Sequence, residues 1–219
     1  RDRGAATAVL LPGGSSIVSV LHYLLEYAKT EEWRGVMPLI HLFEVDSYER
    51  TDERPVSNWD VLEQHLIRPA LAAGLLQQQQ LHPFVFSGDR AGDLARYAAA
   101  LASIAGPPVI VCAAGAGQFT DGSEDTGHIA GIFPNFPGLW NESDPFVSVS
   151  GAPKPPSERI TATPALFRTA ELVVALLLGS ARRRTWDLYR SDRPAHEVPL
   201  KLIDEVPHAF LCTDVLMGG

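Results

Sequence analysis

Residues Val109 to Pro134 read VIVCAAGAGQFTDGSEDTGHIAGIFP. An apolar, β-branched run breaks at Gly115 and Gly117, crosses a polar loop, and delivers one histidine, His128, just before small and apolar residues. Open α/β sheets build their sites in this way, at the carboxyl ends of buried strands. A histidine placed there can take or give a proton near neutral pH. Taken alone, the commoner explanation is a loop histidine that satisfies a hydrogen bond, so the flanking chain has to decide.

Upstream, Ala6 to Leu11 is a second apolar run, followed at once by Pro12-Gly13-Gly14-Ser15-Ser16 and by apolar residues at helical spacing from Ile17 to Ala28. Strand, glycine turn and helix point free backbone N–H groups at an anion, although an ordinary βα turn with a serine cap has the same text. Val36 to Val45 reads as another strand. Ser57 to Ala73 reads as a helix kinked at Pro69, Pro83 to Phe86 as a short strand, and Gly88 to Ala105 as an amphipathic helix. Downstream, Phe146 to Ser150, Glu171 to Leu178 and Val206 to Thr213 read as strands. Pro164 to Thr169 begins a helix, Gly179-Ser180 opens another, and Asp214 onward is a tail. The proline-rich stretch from Gly151 to Ser157 can be neither helix nor central strand. Strands separated by helices predict a single-domain α/β fold, a parallel-rich, Rossmann-like sheet flanked by helices.

With 219 residues, 46% of them hydrophobic and 20% charged, the chain has enough apolar surface for one sizeable core. A net charge of −8 argues against nucleic acid as a partner, because a phosphate backbone requires clustered Lys and Arg. A small anionic ligand needs only two or three local cations. No apolar stretch reaches the length of a membrane span, and the first residues, which lack an initiator Met, carry no signal-peptide core. Cys112 and Cys212 both lie in apolar runs and are expected to be buried free thiols, which suits a reducing, cytoplasmic compartment. The cysteines and histidines show no metal-ligand spacing, and no cofactor is implied.

In order along the chain, these motifs resemble the 6-phosphogluconolactonases and their relatives, the glucosamine-6-phosphate deaminases. Gly13-Gly14-Ser15-Ser16-Ile17 stands where that family has G-G-S-T-P, and Ser57-Asn58-Trp59 where it has S-N-Y. Gly115-Ala-Gly117 with Gly127-His-Ile-Ala-Gly-Ile-Phe-Pro134 matches G-M-G-x-D-G-H-T-A-S-L-F-P, and Ala152 to Thr161 nearly repeats A-P-K-P-P-x-R-I-T. The resemblance implies one sugar-phosphate lactonase/isomerase-like domain over residues 1–219. It implies a phosphorylated sugar or lactone as ligand, and hydrolysis of 6-phosphoglucono-1,5-lactone with His128 as general base. Asp46 would then orient His128 or the sugar hydroxyls. The phosphate would sit on Gly13, Gly14, Ser15 and Ser16 with Arg159 and Arg182 as cationic partners. Lys154 is either a substrate contact or a surface lysine in a proline loop.

The deaminases carry a glutamate five residues after the loop histidine, and here that position is Phe133. Three departures set the chain apart from the lactonases. Tyr48 replaces the arginine of their D-E-R segment, and the literal Asp52-Glu53-Arg54 falls six residues too late to count. Nine residues separate Gly117 from Gly127 where the family usually has two, and Thr126 takes the place of the aspartate before Gly-His. Gln118 to Asp125 is therefore expected to be a mobile flap, with neither Asp121 nor Asp125 standing in for that aspartate. Two alternatives follow: a sugar-phosphate-binding protein that has lost turnover, and a deaminase- or isomerase-like enzyme.

Overall fold

A computed structural model describes residues 4–136, 138–141 and 143–214. The tail expected beyond Asp214 lies outside them, as do the first three residues. The strands are β1 (Thr7–Leu11), β2 (Ile40–Glu44), β3 (Asp46–Ser47), β4 (Leu81–His82), β5 (Val109–Ala113), β6 (Gly117–Gln118), β7 (Glu124–Asp125), β8 (Phe146–Val149), β9 (Arg159–Ala162), β10 (Leu172–Leu177) and β11 (Ala209–Thr213). The α-helices are α1 (Val18–Ala28), α2 (Glu31–Arg34), α3 (Asn58–Leu62), α4 (Arg68–Ala72), α5 (Arg90–Ala102), α6 (Pro164–Arg168) and α7 (Arg183–Tyr189).

Six strands form one parallel sheet in the order β11-β10-β5-β1-β2-β4. The chain builds outward from β1 to β4, then returns to β5 on the other side of β1. The strand order thus reverses between β1 and β5, the place where open sheets hold ligands. Alternation along the strands feeds two cores. Leu10, Phe43, Ile110 and Ala175 pack with Tyr97 and Leu101 of α5, whereas Leu11, Leu42 and Leu176 pack with Leu21 and Leu25 of α1 and with Leu62, Leu66 and Ile67. Helices therefore cover both faces, as the strand–helix alternation predicted. Among the described residues no helix is long and apolar enough to cross a membrane.

Four readings are corrected. Val36 to Val45 is not one strand: Met37–Leu39 is a 3-10 turn around Pro38, and pairing starts only at Ile40. Pro83 to Phe86 makes no ladder; β4 ends at His82, because proline offers no N–H to continue it. Cys212 is exposed, since β11 is an edge strand whose alternate residues face solvent, while Cys112 is buried as expected. The irregularity expected at Pro69 falls one turn earlier, as a π-helical segment over Glu63–Ile67. Pro69 cannot donate to the carbonyl four residues back, and a widened turn absorbs the mismatch.

A smaller antiparallel sheet, β3-β9-β8, was not foreseen. It leans on the end of β2, where Glu44 is fully buried. Tyr97 ties α5 to this point: the Glu44 N–H donates to its hydroxyl at 2.7 Å, and the hydroxyl donates to the Glu44 carbonyl at 3.0 Å. Burial pushes the Glu44 carboxyl up to about 8, although the N–H of Phe84 and the hydroxyl of Ser47 favour its charged form. A carboxyl with a raised folded-state pKa contributes stability that is complete below the unfolded value and lost as pH rises through about 8. Glu44→Gln, which keeps an acceptor for Phe84, should therefore flatten the fall in stability between about pH 5 and pH 8. Urea midpoints measured across that range check it; parallel curves for the two proteins would refute it.

Candidate active site

The turn after β1 places Pro12 to Ser16 at the carboxyl end of the sheet. Gly14 sits at φ 95°, ψ 166°, a region closed to side-chain-bearing residues, and sends the chain through a 3-10 turn (Ser15–Ile17) into α1. The same device recurs after β10: Gly179 at φ 95°, ψ 143° leads through Ser180–Arg182 into α7. Arg182 lies across the strand ends, its Nε donating to the Ala114 carbonyl at 3.1 Å and its Nη1 to the Leu178 carbonyl at 2.5 Å.

Between these two turns, β5 exits at Gly115, and the space a β-carbon would take there is filled by His128 Nδ1 and Asp125 Oδ2. Those two atoms are 2.5 Å apart. Asp125 Oδ1 also accepts the backbone N–H groups of Gly127 at 3.1 Å and His128 at 2.9 Å. Burial alone would raise Asp125, but the hydrogen bond and charge of His128 and those two N–H groups hold it below the usual carboxylate range. With Nδ1 engaged, Nε2 is the ring nitrogen left to the cleft. Phe119 and Phe133 pack beside the ring, their centroids 6.0 and 5.2 Å from its own.

This arrangement overturns the expectation of a mobile flap without a working carboxylate. Gly117–Gln118 and Glu124–Asp125 pair as a short hairpin. Its tip is held by Phe119, which is buried against Phe133, and by Thr120, whose hydroxyl donates to the Pro153 carbonyl at 2.9 Å. The hairpin register brings Asp125 under His128, whereas Thr126 turns away and donates to the Glu197 carbonyl. Asp121 stays at the tip, bonded to Ser123.

The opposite wall comes from the small antiparallel sheet. Pairing of β3 with β9 sets Asp46 beside Arg159, with Nη1 at 3.5 Å from Oδ2, each residue 5% exposed. Burial pushes the Asp46 carboxyl up despite the attraction of Arg159, and burial likewise lowers Arg159. The proline loop wraps back on that guanidinium: Nε donates to the Pro156 carbonyl at 3.0 Å and Nη2 to that of Pro155 at 2.9 Å. The Tyr48 ring lies 4.9 Å from the guanidinium carbon, a cation–π contact. Ser57 caps α3 through a reciprocal bond with Asp60, and Asn58 Nδ2 donates to the Asp46 carbonyl at 2.9 Å. Of the two roles expected for Asp46, orienting His128 or the sugar hydroxyls, the first has no hydrogen bond behind it among the described residues: Asp46 feels the charge of the ring but engages Arg159, and Asp125 bonds the ring.

All nine expected residues (Gly13, Gly14, Ser15, Ser16, Asp46, His128, Lys154, Arg159 and Arg182) line one cleft of about 240 Å³. Tyr48, Arg54 and Asn58 line it too. Arg54 had been set aside on register alone, and this is a correction: the turn from Thr51 to Arg54 carries it back to the cleft. Four cations therefore line the cleft with one carboxylate, Asp46, while Asp125 sits behind His128. Burial and the charges of Arg159 and Arg54 depress Lys154, against the pull of Asp125 and Asp46. Such a cleft is electrostatically incomplete and favours an anion. Among the described residues no three His, Cys, Asp or Glu side chains converge as a metal-binding set.

The sequence model of the glucosamine-6-phosphate isomerases/6-phosphogluconolactonase family matches residues 1–211. The chain belongs to this family. A 6-phosphogluconolactonase of Borreliella burgdorferi is 26% identical over 219 residues, 98% of this chain and 86% of the relative. The crystal structure of a 6-phosphogluconolactonase from Thermotoga maritima superposes with a TM-score of 0.74 at 18% identity, covering 96% of this chain and 86% of the other. A monomeric glucosamine-6-phosphate deaminase superposes with a TM-score of 0.73 at 14% identity, covering 97% and 87%. At those identities the superpositions speak for the shared fold. This family member has a hairpin from Gly117 to Asp125, a carboxylate at Asp125 against His128, and Tyr48 beneath Arg159.

Proposed function

We propose that this family member hydrolyses 6-phosphoglucono-1,5-lactone to 6-phosphogluconate. The observation that carries the reading is that the His128–Asp125 pair and the Gly13–Ser16 turn open into the same cationic cleft. The phosphate is held by the N–H groups and hydroxyls of that turn together with the cations of the cleft. His128 Nε2 takes a proton from water as the water oxygen attacks the lactone carbonyl carbon, and Asp125 stabilises the imidazolium that forms. The tetrahedral oxyanion is met by backbone N–H groups or by Lys154. Collapse breaks the bond to the ring oxygen, which takes the proton back from His128, and the product is a carboxylic acid that ionises in water. In this reading Asp46 binds sugar hydroxyls and Arg159 is one of the cations that meet the phosphate. Phe133, fully buried beside His128, puts no acid group where a deaminase would carry one, which disfavours the amino-sugar reaction.

The test is to generate the lactone in situ and follow 6-phosphogluconate against the spontaneous hydrolysis rate. Turnover above background proportional to protein concentration is expected. Binding of 6-phosphogluconate without turnover would leave a sugar-phosphate-binding protein instead.

A further inference from the structure

Of the four cations in the cleft, two are already engaged by protein. Arg159 directs its fork at three proline-loop carbonyls and Asp46, and Arg182 donates to the carbonyls at the ends of two strands. Arg54 differs. It is exposed, it lines the cleft, and among the described residues its guanidinium has no carboxylate or carbonyl partner.

The loop that carries it is nevertheless built. Thr51 and Arg54 exchange backbone hydrogen bonds at 3.0 Å, and the Arg54 N–H also reaches the Thr51 hydroxyl at 3.1 Å. Arg50 pairs with Asp60 through two nitrogens. The Tyr48 hydroxyl donates to the Val56 carbonyl at 3.1 Å and closes the far side. Tyr48 thus joins two tasks: its ring faces the Arg159 guanidinium, and its hydroxyl holds the segment that presents Arg54. A guanidinium with all five donors unengaged, held on a closed loop beside Lys154 and Arg159, has no partner within the fold that accounts for its position. An anion in the cleft would supply one.

We propose that Arg54 is an anion-gripping, specificity-determining residue of this cleft, closing on the negative charge of the ligand from the loop side. The inference rests on the reading that the cleft takes a phosphorylated sugar, and it adds to Lys154, whose ammonium likewise has no hydrogen-bond partner among the described residues, a second cation able to meet it. The loop position offers the ligand a bidentate partner from the wall formed by the Thr51–Arg54 turn, in addition to the Gly13–Ser16 turn.

Calorimetric titration with 6-phosphogluconate and with inorganic phosphate tests it, at two ionic strengths, for the wild type, Arg54→Ala and Arg54→Lys. Because the side chain is exposed and makes no hydrogen bond or ion pair among the described residues, the thermal midpoint should not move. Arg54→Ala should weaken 6-phosphogluconate binding about tenfold, the worth of a charge-assisted hydrogen bond, and Arg54→Lys less than about threefold. The loss should shrink at high salt, as screening removes the contribution of the charge. Where the lactonase turns over, KM should rise with kcat nearly unchanged. An Arg54→Ala affinity within about twofold of wild type would overturn the proposal, as would an equal loss in the lysine variant. Failure of hydrolysis alone would remove the lactonase reading and leave the binding result to decide Arg54. A wild type that binds neither anion would remove both.

Discussion

Replacing His128 by asparagine is expected to lower kcat by about 10²–10⁴ while 6-phosphogluconate binding is retained. The magnitude is that of a positioned acid–base group, about 3–5 kcal/mol of transition-state stabilisation. Binding should persist because, in the function we propose, the anion is held by the Gly13–Ser16 turn and the cleft cations, none of which depends on the imidazole. Asparagine also keeps a polar group against Asp125, so the buried carboxylate is not left without a partner. The rate must be measured above the spontaneous hydrolysis of the lactone, and the dissociation constant must be measured separately. A variant with near wild-type kcat would exclude His128 as the base.

Asp125→Asn should cost nearly as much, about 10²–10³ in kcat, with the hairpin intact. The amide oxygen can still accept the N–H groups of Gly127 and His128, so the loop keeps its anchors. What changes is the atom facing Nδ1. A carboxylate there accepts and fixes the proton on Nδ1, leaving Nε2 free to take one from water; an amide NH₂ donates and favours the opposite tautomer. Asp125→Ala should add a loss of stability, because three hydrogen bonds to the carboxylate disappear together. The aspartate at Asp121, bonded to Ser123 at the tip, should tolerate asparagine with little change in rate. Equal effects at Asp121 and Asp125 would show that the hairpin acts through its charge and not through the dyad.

Much of the architecture was legible because it is written in local patterns. The apolar runs ending in Gly13-Gly14 and in Gly115 could only be buried strands with turns at their carboxyl ends, and helical spacing between them left a parallel sheet as the economical answer. That the candidate residues would share one cleft was legible for a related reason. Gly14 needs a backbone region closed to other residues, and the proline loop must precede Arg159 for its carbonyls to reach that guanidinium; both constraints act over a few residues of chain.

What the sequence left open depends on contacts between segments far apart. The small antiparallel sheet brings Asp46 to Arg159 across more than a hundred residues, and a four-residue strand such as β9 carries too little periodicity to announce that pairing. Which carboxylate serves His128 could not be read from spacing. A two-residue ladder and the packing of Phe119 set the hairpin register, and a shift of one residue would have presented Thr126 in place of Asp125. Arg54 was set aside by counting along the chain, yet the turn closed by Thr51 returns it to the cleft. Cys212 looked buried in its apolar run, and only its place on the edge strand decided that it faces solvent. Local sequence determined the strands, the turns and the identity of the histidine. The tertiary structure decided which distant charges meet it, because an electrostatic partner is chosen by distance in space, and distance in space is set by packing.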